Sequence, residues 1–205
     1  MEHLHTACRL SAGQKVYMAI KSSLDFIISL LALMVLALPM VILALIIKLD
    51  DRGPVFFKQK RIGKDQKHFM MLKFRTMRTD TPKDTATHLL TDPQKYITKV
   101  GRFLRKTSLD ELPQLINIIK GDMSIIGPRP PLIREVAEYN EYQLHRLDVK
   151  TGLSCYHECY GRSKVTDFDE WVEADLKYIR ERSMLTDLKI IFLTIKVVLT
   201  GEGAC

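Results

Sequence analysis

The sequence predicts an α+β body carried on an apolar membrane helix, and three observations predict it. From Phe26 to Ile47 there are 22 residues without a charge, and nothing later in the chain matches them. Two aromatic-rich runs, Val55–Ile62 and His68–Met77, flank the turn-like Gly63-Lys64-Asp65 and read as a β-hairpin. Beyond residue 107 the apolar residues recur at helical spacing, as in Leu112, Leu115, Ile116 and Ile119. The expected order is a segment over residues 1–22, a membrane helix over 23–49 and a functional body over 50–205, with helices lying at the interface towards the C-terminus.

Composition narrows the partners. The 205 residues are 46% apolar and 27% charged, as in a folded protein and unlike a disordered chain or multi-span transporter. A net charge of +7, from 31 Lys and Arg against 24 Asp and Glu, suits polyanions: phosphates, nucleic acid or an anionic lipid surface. Four scattered cysteines, Cys8, Cys155, Cys159 and Cys205, do not make a disulfide framework and favour a reducing compartment.

The apolar run would be roughly 33 Å long as a helix, enough for a bilayer core. No small-residue cleavage site follows it, which argues against a signal peptide. Pro39 lies two thirds of the way along, where it breaks or kinks a helix. Cations flank both ends: Arg9, Lys15 and Lys21 before, then Lys48, Arg52, Lys58, Lys60 and Arg61 after. If positive charge stays cytoplasmic, both ends prefer one side. A helix–break–helix that enters and leaves by one face meets both facts, with a kinked single span as the alternative.

In the hairpin's second strand, alternation puts Phe69, Met71, Lys73 and Arg75 on one face and Met70, Leu72, Phe74 and Thr76 on the other. Nine Lys or Arg stand against one acid between Arg52 and Arg78. That density reads as a basic face against lipid headgroups, as a phosphate-binding strand pair, or as both. Residues 79 to 94 have the composition of a loop, and five more basic residues follow by Lys106.

Ser108 and Glu111 have capping-box spacing, so a helix is expected to start near Ser108, with Pro113 in its first turns and Gly121 ending it. Asp110 and Glu111 would then sit at the positive end of a helix dipole. They could simply cap it. They could also act as a nucleophile or metal ligand with a neighbour of separate task, because adjacent helical residues point apart. Gly127-Pro128-Arg129-Pro130-Pro131 fixes an arginine between prolines, either ready for bidentate phosphate binding or simply solvated on a stiff connector. Cys155, His157 and Cys159 lack a clear fourth ligand, which weakens a zinc reading. The helices expected after Phe168-Asp-Glu-Trp171 include a segment, Leu185 to Leu199, whose only charges are Asp187, Lys189 and Lys196; it is expected to lie at the interface beside the membrane helix, near Trp171.

Over roughly residues 20 to 204 the chain resembles the bacterial sugar transferases, the small monotopic phosphoglycosyl transferases. The pieces that carry the resemblance are the apolar helix broken at Pro39, GPVFFKQKRIG, LKFRTM, TSLDELPQLINIIKGDMSIIGPRP, Gly161-Arg162-Ser163 and SMLTDLKIIFLTIKVVLTGEGA. The resemblance implies that Asp110 attacks the β-phosphate of a UDP-sugar with Mg²⁺ at its carboxylate and releases UMP. A polyprenol (undecaprenyl) phosphate then takes the phosphosugar, in the first membrane step of glycan assembly. It implies Glu111 as a catalytic neighbour and Lys73, Arg75, Arg105, Pro128, Arg129, Pro130 and Arg162 as substrate-binding positions. It also implies the cytoplasmic face of a bacterial inner membrane, no nucleic acid, room for a homodimer, and a minimal catalytic form without the further domains of larger relatives. The rivals are glycosyl transfer that releases UDP, and a non-catalytic basic module at the membrane. Two departures stand out. Leu38 replaces the family's frequent Ser before the helix Pro, and Lys150–Gly161 replaces a Pro-Gly-Ile-Thr-Gly and Gln-Val segment expected to touch nucleotide or sugar.

Overall fold

A computed structural model of the chain describes residues 12–81, 92–156, 159 and 167–200. Arg162 and the Gly161–Ser163 motif lie outside the described residues, as do His157, Cys8 and Cys205. The architecture is mixed, with helices around two small sheets.

Helix α1 runs from Ala12 to Asp50, 39 residues, through Pro39 and across the expected boundary at residues 22 and 23. Pro39 ends no helix here. The turns around it are held from the side: Leu33, Leu36, Met40, Leu43, Ala44 and Ile47 pack with Phe74 and Leu104. Ala32 and Leu36 also meet the cluster of Phe69, Met71, Leu115, Ile118 and Met123. Near the start of α1, Tyr17, Lys21, Asp25 and Ser29 are buried at four-residue spacing. The helix therefore touches the body from Tyr17 to Ile47, over roughly 45 Å. Its other face is apolar and bare, with Met34, Val35, Leu38, Leu45 and Leu49 all more than half exposed. This helix is long and apolar enough to cross a membrane, with 11% of its most apolar window buried, and that fits membrane association.

The expected hairpin forms. β1 (Phe56–Ile62) pairs antiparallel with β2 (His68–Phe74), Phe56 opposite Phe74 and Ile62 opposite His68. Asp65 and Gln66, not Gly63, take the left-handed conformation in the turn. Phe69 and Met71 face the core while Met70 is about half exposed. β2 is also gripped from its side by Asn117, whose Oδ1 accepts from Leu72 N–H (3.0 Å) and whose Nδ2 donates to Met70 C=O (2.8 Å).

Helix α2 (Lys99–Thr107) opens on Thr98, whose hydroxyl accepts from Gly101 N–H at 2.8 Å. Gly101 lies directly on the chain leaving β2: a Cβ there would meet Thr76 O at 2.0 Å and Thr76 Cα at 2.7 Å. Both neighbours are backbone, so neither can swing aside. Gly101→Ala is expected to destabilise by about 3 kcal/mol, read as a lowered midpoint in thermal unfolding.

The helix expected from Ser108 starts later. Ser108 is left-handed (φ 56°) and ends α2, its side chain caps nothing, and Leu109–Glu111 form a single 3₁₀ turn before α3 (Gln114–Ile119). Pro113, at the N-terminal edge of α3, supplies the pre-set φ that suits a helix start. The capping box does not form because the Glu111 carboxylate is drawn to Lys73 instead.

β3 (Ser124–Ile126) pairs parallel with β4 (Gly152–Ser154), and the connection between them carries α4 (Ile133–Val136) and α5 (Glu141–Leu144). Two longer helices close the body, α6 (Phe168–Glu181) and α7 (Met184–Thr200). Val172, Leu176, Tyr178, Ile179 and Ile190 form their shared core with Ile126 and Val149. On α7, Leu185, Leu188, Phe192 and Ile195 make an exposed apolar stripe at helical spacing. Asp187, near the start of α7, bonds Lys21 and Tyr17, near the start of α1, so the two apolar helices meet at their first turns. Trp171 does not look outward. Its ring covers the buried Arg146 guanidinium at 5.3 Å, with Tyr139 and Phe168 on other sides and Asp175 as counter-ion (2.7 Å).

Candidate active site

Four structural pieces meet at a narrow cleft. Its lining includes Arg61 and Lys73 of the hairpin, Glu111 of the 3₁₀ turn, Arg129 and Pro130 of the proline loop, and Leu153 and Cys155 at the end of β4. Each piece is placed by a local cause. Asn117, six residues after Glu111, grips β2 and so fixes the Asp110-Glu111 pair relative to Lys73. Lys73 Nζ donates to Glu111 Oε1 at 2.7 Å, with both side chains about one-fifth exposed.

The proline loop is tied on two sides. Gly127 N–H donates to Ser154 O (3.0 Å) and Gly152 N–H to Pro128 O (2.8 Å), which anchor it to β4. Ile62 N–H donates to Pro131 O (3.1 Å) and Arg61 Nη1 to Pro130 O (2.8 Å), which anchor it to β1. Pro128 and Pro130 are buried and Arg129 is only partly so. The stiff, pre-placed arginine read from the sequence is present, and it faces the same cleft as Lys73 and Glu111.

The electrostatics are those of an anion site built around one carboxyl. Burial pushes the Asp110 carboxyl above its ordinary pKa and Glu111 adds to the rise, whereas the Lys73 and Arg105 cations oppose it. Arg105 is held over the turn by its Nε–H bond to Thr76 Oγ1 (2.9 Å). Burial and the neighbouring Arg129 charge pull Arg61 down to about 10. Two guanidiniums so close, desolvated together, are stabilised by an incoming anion.

Of the residues singled out from sequence, Lys73, Glu111, Arg129 and Pro130 converge on the cleft, and Asp110 and Arg105 act on it through charge. Arg75 is placed elsewhere. Its guanidinium bonds Asp51 Oδ2 (2.5 Å) and the Asp51 carbonyl, which fastens β2 to the end of α1. Gln114 was not singled out, Arg61 was read only as one of the cations after the apolar run, and Cys155 only in the zinc reading. Arg61 had a legible signal: it is the basic residue opposite Phe69 in the hairpin register. Gln114, buried at the start of α3, had none. Of the unusual Lys150–Gly161 segment, Gly152, Leu153 and Cys155 reach the cleft, but Lys150 lines a different cavity. Among the described residues no group of three His, Cys, Asp or Glu could hold a metal on its own. Cys159 Sγ lies against the Thr194 hydroxyl (3.0 Å) rather than in a zinc cluster. The adjacent carboxylates of Asp110 and Glu111 do suit a hard cation such as Mg²⁺, which takes one or two carboxylates and completes its shell with water and phosphate oxygens.

Residues 16–201 match the family described as bacterial sugar transferase. The chain belongs to that family. Bacterial sugar transferases similar to it include the galactosyl transferase CpsE of Streptococcus agalactiae, 47% identical over 166 residues, covering 75% of this chain and 36% of that protein. An uncharacterised sugar transferase of Bacillus subtilis, EpsL, is 43% identical over 77% of this chain and 76% of its own. The UDP-glucose:undecaprenyl-phosphate glucose-1-phosphate transferase of Escherichia coli is 40% identical over 86% of this chain and 39% of that protein. The chain thus spans well under half the length of two of these three bacterial sugar transferases.

Proposed function

We propose that the chain transfers a sugar-1-phosphate from a UDP-sugar to a polyprenol phosphate at a membrane, through a covalent intermediate on Asp110. The observation that carries the reading is the surroundings of Asp110: a partly buried carboxyl under the charges of Lys73 and Arg105, beside a cleft that also presents Arg61 and Arg129. The names of relatives that act with undecaprenyl phosphate support both substrates.

In the first step an Asp110 oxygen bonds the β-phosphorus of the UDP-sugar, the bond from that phosphorus to the bridging oxygen breaks, and UMP leaves with that oxygen. In the second, an oxygen of the polyprenol phosphate bonds the same phosphorus and the Asp110 carboxylate departs. Two polyanions never need to meet directly, because UMP has left and the phosphosugar is held as an acyl phosphate with a single negative charge when the acceptor arrives. Arg61, Arg129 and Lys73 offset the charge of the transferring group, and Glu111, held by Lys73, assists at the acceptor or the metal. Mg²⁺, held at Asp110, supplies further neutralisation of the diphosphate when bound.

The same proposal places the body on the cytoplasmic face of the bacterial inner membrane, with α1, continuous but bent at Pro39, entering and leaving by that face. Contact of α1 with the body from Tyr17 to Ile47 supports it, since a straight span would carry one end away from the body. The test is nucleotide release by detergent-solubilised protein with Mg²⁺, polyprenol phosphate and a panel of UDP-sugars. UMP release identifies phosphosugar transfer and the donor; UDP release overturns it in favour of glycosyl transfer.

Lys73 gives a pH-dependent prediction. Asp110 reacts ionised, and Lys73 lowers its pKa against the rise caused by burial. Lys73→Met is expected to move the acid limb of the rate profile to higher pH and to lower the plateau roughly 10²-fold. An unchanged acid limb in the pH profile of UMP release would show that the two charges are not coupled.

A further inference from the structure

A second cavity, sharing no lining residue with the active-site cleft, has a volume of about 260 Å³, just under the usual range of small-molecule pockets, about 300–1,000 Å³, and ample for a phosphate group. It lies between the first turns of α1 and the body, lined by residues that include Ser22, Asp25, Lys64, Lys150, Tyr178 and Arg182. The proposed reaction uses none of these six.

The wall has an inner and an outer part. Inside, Asp25 already has partners: Ser124 Oγ–H donates to it (2.6 Å) and Lys21 lies at 3.8 Å. Lys21 also serves Asp187 (2.8 Å), so this inner group carries one net negative charge. The Tyr178 hydroxyl is spent on Asp187 and the Ile126 carbonyl.

Outside, three cations exceed that charge. Lys150 Nζ reaches Ser22 Oγ at 3.4 Å, and Arg182 donates one Nη1–H to the Ile179 carbonyl while its buried Nε has no hydrogen-bond partner. Among the described residues neither has a carboxylate within 4 Å, and Lys64 has only the exposed Asp65 at 4.0 Å. Cations gathered around a cavity without counter-ions repel one another, and an anion with several acceptor oxygens relieves that cost.

The position of the cavity narrows the anion. Val16 and Ile20, on the turns of α1 that supply Met18, Ala19 and Ser22, are about half exposed, and Leu185, three residues after Arg182, is 80% exposed. The cations therefore lie where an apolar surface gives way to polar groups, at the level where a bilayer carries its phosphates.

We propose that this cavity binds a phosphate-ester anion through Lys64, Lys150 and Arg182, and that the headgroup of an anionic phospholipid supplies it. The proposal rests on the membrane-facing surface and not on the chemistry assigned to Asp110. Vesicle binding needs no turnover, so the two readings fail separately.

The test compares full-length protein on vesicles of phosphatidylcholine alone and of phosphatidylcholine with phosphatidylglycerol, alongside calorimetric titration of the detergent-solubilised protein with inorganic phosphate. Wild type is expected to prefer the anionic vesicles. Lys150→Gln with Arg182→Gln should weaken binding to them roughly tenfold or more, at about 1 kcal/mol per surface cation. Ser22→Trp, which fills the cavity and keeps every cation, should weaken it in the same direction. Lys58→Gln with Lys60→Gln, exposed cations outside the cavity, should do so much less. Equal losses in the two charge pairs, or full binding by Ser22→Trp in protein with a normal melting profile, would overturn the site in favour of diffuse attraction. Phosphate binding that the Lys150 and Arg182 changes remove, without any vesicle preference, would keep the anion site and overturn the lipid as its source. Neither kind of binding would overturn both.

Discussion

Asp110→Asn is expected to abolish UMP release, by on the order of 10⁴-fold or more, and with it any covalent phosphosugar adduct seen by mass spectrometry of the intact protein. The substitution keeps the size of the side chain and takes away the nucleophilic oxygen. Its neighbours have reasons to stay in place: Lys73 remains on Glu111 and Arg105 on Thr76. Binding of the UDP-sugar should therefore survive, and a negative charge fewer in a cationic site should tighten it slightly. This split between lost turnover and retained binding separates a nucleophile from a carboxylate that merely orders the turn. A variant that bound donor and still released UMP at an appreciable rate would remove Asp110 from the chemistry.

Asp187→Ala should give the largest loss of stability. The carboxylate is 6% exposed and accepts three hydrogen bonds, from Tyr17 Oη (2.7 Å), Lys21 Nζ (2.8 Å) and Tyr178 Oη (2.8 Å). Truncation leaves a buried ammonium with Asp25 at 3.8 Å as its remaining partner and the Tyr17 phenol without its acceptor, while Tyr178 keeps the Ile126 carbonyl at 3.2 Å. Removing one side of such a buried pair costs about 3–5 kcal/mol, and the stranded Tyr17 hydroxyl adds about 1 kcal/mol or more. That approaches the whole stability of an ordinary domain, about 5–15 kcal/mol. Denaturant unfolding in micelles measures it. The start of α1 should come loose first, detected as faster proteolysis near Tyr17, because its later turns keep Met40 and Ile47 in the core. A loss under about 1 kcal/mol would mean that these polar groups do not hold the helix to the body.

How far the sequence could be read depended on whether a feature was local. The hairpin was legible because alternation and a turn sit within one short stretch, and its register follows. The fixed Arg129 was legible because prolines act on their immediate neighbours. The start of α3 was not: Ser108 and Glu111 have the spacing of a cap, but Lys73, far away in the chain, competes for Glu111. Arg75 looked like Lys73's companion by alternation, yet its partner Asp51 lies at the end of another element. Continuity through Pro39 was illegible for a similar reason, since the packing around Met40 and Leu36 comes from the hairpin and α2. The burial of Arg146 among Tyr139, Phe168 and Trp171 brings together three separate segments, and no spacing announces it.

The contact of α1 with the body bears on how the chain is made. The helix precedes the body in sequence, and its inner face contributes Met40 and Ile47 to a core completed by Phe74 and Leu104. During synthesis α1 leaves the ribosome first and partitions to the lipid, while the residues that complete its inner face have yet to be translated. The body thus assembles against a template already restricted to a surface, with fewer orientations to search than in bulk water. A body cut free after Asp50 would lose part of its core along with its anchor.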